Sequence, residues 1–75
     1  MRADKVLRSI LDKEEISSIS VSEKMGRSKT YVNRILATHG MPKTDTMAGI
    51  CDAMGYDLIA RSREDGYEFT IDPPE

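Results

Sequence analysis

Residues 28–34 of this 75-residue chain read S-K-T-Y-V-N-R. Lys29, Thr30, Asn33 and Arg34 recur at i, i+1, i+4 and i+5, so on a helix they share one polar face, and Val32, Ile35 and Leu36 share the apolar one. All four outer residues carry hydrogen-bond donors, the chemistry needed to reach base edges in the major groove of a duplex. The surroundings suit a polyanion. From Lys24 to Lys43 there are five cations (Lys24, Arg27, Lys29, Arg34, Lys43) and no acid, whereas the remainder holds six cations against thirteen acids. The net charge of −2 therefore hides a basic face on an acidic body, and it is the local potential that a phosphate backbone meets.

Other chemistries find little support. One cysteine, Cys51, excludes an internal disulfide, and one cysteine with one histidine, His39, excludes a Cys/His zinc finger. Asp12, Glu14 and Glu15 crowd a helix end with no nucleophile or metal ligand to pair with. No catalytic triad, carboxylate pair or phosphate-cradling loop is read, so neither an enzyme nor a cofactor or metal is expected. The N-terminus MRADKVLRSILDKEE is too charged for a signal peptide. No apolar run approaches the roughly 18 residues of a membrane span, so a cytoplasmic protein is expected.

The elements that must hold the polar face follow from periodicity. Val6, Leu7, Ile10 and Leu11 predict a first helix from Ala3 to Lys13. Ser17-Ser18 offers a hydroxyl cap for a second, from Ser18 to Met25, which Gly26 stops by taking a left-handed conformation. Ser28 is placed to cap a third, from Lys29 to Thr38, closed by Gly40 and Pro42. Met47, Ile50, Cys51 and Met54 form the stripe of a fourth, from Thr44 to Gly55, with Asp45 favourably near its start. Val21, Met25, Val32, Ile35, Met47, Ile50 and Met54 are the expected core, and Ser22 is small enough for the second and third helices to approach. Residues 17–35, two helices joined by Gly26-Arg27-Ser28, thus have helix-turn-helix geometry.

After Gly55 the period changes to that of strands, Tyr56 to Glu64 and Tyr67 to Asp72, with Asp65-Gly66 as a two-residue turn. That turn sets Ser62 opposite Phe69, Ala60 opposite Ile71 and Arg63 opposite Glu68. Leu58, Ala60, Tyr67, Phe69 and Ile71 then share an apolar face, and Pro73-Pro74 ends the strand. Because a lone hairpin is marginal, this face is the expected dimerisation element: residues 1–55 form the DNA-binding part and residues 56–75 the pairing part of one domain.

Residues 17–58 resemble the Cro/repressor-type (XRE) helix-turn-helix family. The resemblance is carried by the SEKMG block, the S-K-T-Y-V-N-R-I block, Pro42 and TMAGICDAMGYDL. It implies a mainly α, four-helix, lambda-repressor-like fold, here with a C-terminal β-hairpin in place of the family's common fifth helix. It also implies that Lys29, Thr30 and Arg34 read bases with Asn33 on the same face, Arg34 or Lys29 suiting guanine and Asn33 adenine. Ser18 and Ser28 match phosphate-contacting positions; Arg27, Tyr31, His39 and Lys43 near the groove edges are further phosphate partners. The chain departs from the family at Ser18, where a bridging glutamine is common, at Leu36, where a polar residue is usual, and at Thr38, where glycine is. The function so implied is a sequence-specific regulator of double-stranded DNA, a homodimeric repressor on a palindromic operator. An antitoxin that binds a toxin protein and autoregulates its promoter is the alternative, distinguished by a co-purifying partner.

Overall fold

The computed structural model describes residues 2–38 and 42–74. It is mainly helical, with α1 (Ala3–Glu14), α2 (Ser18–Lys24), α3 (Tyr31–Ala37) and α4 (Thr44–Ala53), followed by strands β1 (Leu58–Arg61) and β2 (Glu68–Ile71) in one antiparallel hairpin. Three helices end in the same way. After α1, α2 and α4 a residue with positive φ, respectively Glu15 (53°), Gly26 (71°) and Gly55 (80°), turns the chain. The next residue's N–H then reaches five residues back: Ile16 to Leu11, Arg27 to Ser22, Tyr56 to Cys51. These are Schellman closures, which satisfy helix carbonyls that would otherwise be orphaned. Glu15 alone makes its turn with a side chain in the left-handed region.

The start of α2 is as the serines predict: Ser17, in extended conformation, accepts the Ser20 N–H on its Oγ at 3.0 Å. The start of α3 is not. The helix begins at Tyr31 rather than Lys29, and Ser28 does not cap it. Instead the Ser28 carbonyl accepts the Tyr31 N–H at 3.0 Å in a preceding turn, and Thr30 takes the N-cap position without a side-chain bond. A local cap is dispensable because a buried hydroxyl of α2, described below, supplies an acceptor inside the first turn. Helix α3 ends at Ala37; the expected stop Gly40 lies outside the described residues.

The core gathers Leu7 and Ile10 of α1, Val21 of α2, Val32 and Leu36 of α3, and Met47, Ile50, Cys51 and Met54 on and just after α4. Leu7, Val32 and Ile50 are fully buried. Met25 and Ile35, expected as core, are only half-buried at its margin; Leu36 is the residue that turns inward beside Val32. Burial raises the Cys51 thiol above its ordinary range.

The hairpin is shorter than predicted, and its register differs by two. Leu58 faces Ile71, Ile59 faces Thr70, Ala60 faces Phe69 and Arg61 faces Glu68. Arg61, not Arg63, is therefore the cation opposite Glu68. The cause is the turn. A two-residue Asp-Gly turn of the kind that dominates hairpins needs positive φ at both residues, and only Gly66 has it, at 77°. The chain instead closes a four-residue loop, 63–66. The Ser62 N–H donates to the Tyr67 carbonyl at 2.8 Å, and the Gly66 N–H to the Ser62 carbonyl at 3.0 Å. The Asp65 carboxylate accepts the Tyr67 N–H at 2.9 Å, and this bond above all holds the acid below its usual range. Because the slip is even, each side chain keeps its predicted face.

Candidate nucleic-acid interface

Two side-chain bridges fix α3 against α2. The fully buried Ser22 Oγ donates to the Ser18 carbonyl at 2.8 Å and accepts the Val32 N–H at 3.1 Å. A first-turn N–H of α3, which has no partner within its own helix, is thus satisfied from the neighbouring one. Serine does more at this position than leave room. The second bridge is on the surface: Ser18 Oγ donates to Asn33 Oδ1 at 3.1 Å. The tie that the resemblance finds missing for want of a glutamine is made by the shorter side chain, through Asn33.

The outer residues are presented as the sequence predicts. Lys29, Thr30, Asn33 and Arg34 are all exposed. Lys29 and Thr30 project from the turn leading into α3, while Asn33 and Arg34 project from the helix itself. The Arg27 guanidinium lies over the Tyr31 ring, 5.1 Å from its centroid, which holds a cation at the turn. At the opposite end of α3, Arg8 Nη2 donates to the Leu36 carbonyl at 3.2 Å. Arg8, Leu11, Asp12, Ile16, Ser18, Asn33 and Leu36 line a groove of about 290 Å³ beside Asn33, so one acid, Asp12, stands at the margin of the face.

Of the expected phosphate partners, Ser18 and Arg27 are brought against α3 by the contacts above. Ser28 is exposed in the turn, and Tyr31 is half-buried beneath Arg27. Lys43 is exposed at the N-cap of α4. His39 lies outside the described residues. Sequence reasoning missed Arg8, whose carbonyl partner is 28 residues away, and the hydrogen-bonding role of Ser22. No local pattern signals the first. A lone polar residue in an otherwise apolar row could have signalled the second.

The expected dimerisation set divides. Leu58 packs on the helical core and so belongs to the domain's own packing, and Ile71, opposite it, is half-buried. Ala60, Tyr67 and Phe69 are exposed, the last two 63% and 68% so, with their rings tilted against one another at 57° and 5.1 Å between centroids. Ile59, on the other, polar face with Arg61 and Glu68, is also exposed. Lys13 of α1 donates to the Tyr56 hydroxyl at 3.1 Å and lies near its ring, anchoring the hairpin's base; that bond raises the lysine above its ordinary range.

Among the described residues, no group of three or more His, Cys, Asp or Glu is placed to hold a metal, and no helix is long and apolar enough to cross a membrane. Compared with known proteins, the chain matches no family, no curated protein and no solved structure.

Proposed function

We propose that this chain is a sequence-specific, double-stranded DNA-binding transcriptional regulator with a lambda-repressor-like helix-turn-helix, acting as a dimeric repressor. The observation that carries the reading is one exposed face bearing Lys29, Thr30, Asn33 and Arg34, braced from behind by buried Val32, Leu36 and the Ser22 bridge. A base-reading surface must be both donor-rich and rigid, because a misplaced donor loses its directional bond. Lys29, Thr30, Asn33 and Arg34 read bases in this scheme. Ser18, Arg27, Ser28, Tyr31 and Lys43 set position on the phosphates. The hairpin, a two-stranded sheet with open edges and an exposed aromatic face, supplies the second requirement, an element for pairing two copies so that two recognition helices meet successive major grooves of a palindromic site, about 34 Å apart.

The test is enrichment of binding sites from random duplex DNA with the purified chain. A two-fold symmetric consensus, bound with an affinity that falls steeply as salt rises, is the expected result. Absence of any consensus overturns the reading, and a toxin-like protein co-purifying from the native source would move it to the antitoxin alternative.

A further inference from the structure

The hairpin leaves one strand edge whose charges fit a second copy of itself. The Ser62–Tyr67 backbone bond sets the phase of the ladder. Hydrogen-bonded and non-bonded pairs alternate in an antiparallel pair, so Ala60–Phe69 and Leu58–Ile71 are bonded pairs and Ile59–Thr70 and Arg61–Glu68 are not. The backbone N–H and C=O groups of Ile59 and Arg61 therefore point away from β2, along the outer edge of a sheet that has only two strands. Carried one residue back from β1, the same alternation sets Asp57 in a row with Ile59 and Arg61, an exposed apolar residue between an exposed acid and an exposed cation.

We infer that a second copy of this chain adds to the free edge of β1, antiparallel, about a two-fold axis at Ile59. This rests on the dimeric reading above and specifies its partner surface. Centred there, Ile59 faces Ile59 of the second copy, and Arg61 of each copy faces Asp57 of the other, giving two opposite-charge pairs from one residue pair. The outward backbone groups of all three residues then fall on hydrogen-bonded positions. Centring on Arg61 or on Asp57 would set like charges face to face. The β2 edge offers no equivalent. Its outward residues Glu68 and Thr70 are followed by Asp72, residues 66–72 contain no cation, and centring on Thr70 opposes Glu68 to Asp72. Pairing through β1 makes a four-stranded sheet in which Ala60, Tyr67 and Phe69 of both copies lie on one continuous face, and it removes an open edge.

Charge exchange tests this in the full chain. Sedimentation equilibrium is run on the wild type, Asp57→Arg, Arg61→Asp, the double variant, and Thr70→Lys, a charge placed on the other edge opposite the uncharged Ile59. Each single exchange sets two like-charge contacts in the dimer and is expected to weaken association roughly ten- to a hundredfold. The double variant associates more tightly than either single, although Arg61→Asp sets an acid opposite Glu68 within its own hairpin, and Thr70→Lys leaves association unchanged. Singles without effect, a double no tighter than the singles, or weakening confined to Thr70→Lys overturn the β1 register. Operator enrichment by the wild type separates the two levels. A palindromic consensus together with charge-insensitive association overturns the register alone, whereas a monomeric wild type that enriches no site overturns the dimeric regulator as well.

Discussion

The helical body and the hairpin are built on opposite terms. In residues 3–53 every helix contributes side chains to one core, and long-range bonds from Ser22 and Arg8 satisfy backbone groups that a short helix like α3 leaves open. In the hairpin two four-residue strands pair with one another, Leu58 packs on the helical core, and the largest side chains, Tyr67 and Phe69, stand in solvent. The first region is complete within one chain. The second is anchored at its base by Leu58 and Tyr56 and leaves Tyr67 and Phe69 exposed at its far end.

This contrast breaks if the two regions respond alike to truncation. Leu7→Ala removes a fully buried side chain and is expected to cost about 2–5 kcal/mol of unfolding free energy in urea. Phe69→Ala, in an exposed position, should stay within about 0.5 kcal/mol when the unfolding is measured on dilute, monomeric protein. Comparable losses would show that the hairpin is part of the monomer's core. Next in size is Ser22→Ala, which leaves the Val32 N–H buried without an acceptor. A loss of about 1–3 kcal/mol is expected, and a neutral result would mean that α3 does not need its partner's hydroxyl.

The polar face can be sharpened in the same range. Arg34→Ala should lower discrimination at one operator base pair by about 1–3 kcal/mol while sparing random DNA. Lys43→Ala should weaken binding to all sequences alike and flatten the salt slope by about one unit, both read by titration at several salt concentrations. Equal effects on operator and random DNA from Arg34→Ala would remove that residue from base reading. A smaller effect, of opposite sign, is expected at Glu15, where φ of 53° strains a side chain. Glu15→Gly should stabilise the body by about 0.5–1 kcal/mol, seen as a raised urea midpoint.

The smallest effect belongs to the hairpin loop. The Asp65 carboxylate is held below its usual range by the Tyr67 N–H, so its contribution is present above the ordinary carboxylate range and is lost as pH falls through the depressed value. Acid should therefore loosen residues 62–67 before the helices, visible as amide exchange at Tyr67. Asp65→Asn should flatten that dependence. Exchange at Tyr67 with the same acid dependence in the variant would rule out the carboxylate as its cause.

Much of this was legible along the chain because it is local. A left-handed glycine after a helix, a serine before one and an apolar stripe every three or four residues are decided within a few residues, and Gly26, Gly55, Ser17 and the stripe of α4 stand where those patterns put them. The exposed quartet Lys29, Thr30, Asn33 and Arg34 follows from the same periodicity, although two of the four sit in the turn before the helix.

Only the tertiary structure settled the rest. The start of α3 depends on an acceptor brought in from α2, Asn33 is tied by Ser18 across 15 residues, and Arg8 meets Leu36 across 28. The hairpin register depended on whether Asp65 would take a positive φ, which the dipeptide permits but does not compel. Hydrophobic periodicity is a property of one segment, whereas hydrogen bonds between segments, and the choice between two permitted turns, exist only once the chain has closed on itself.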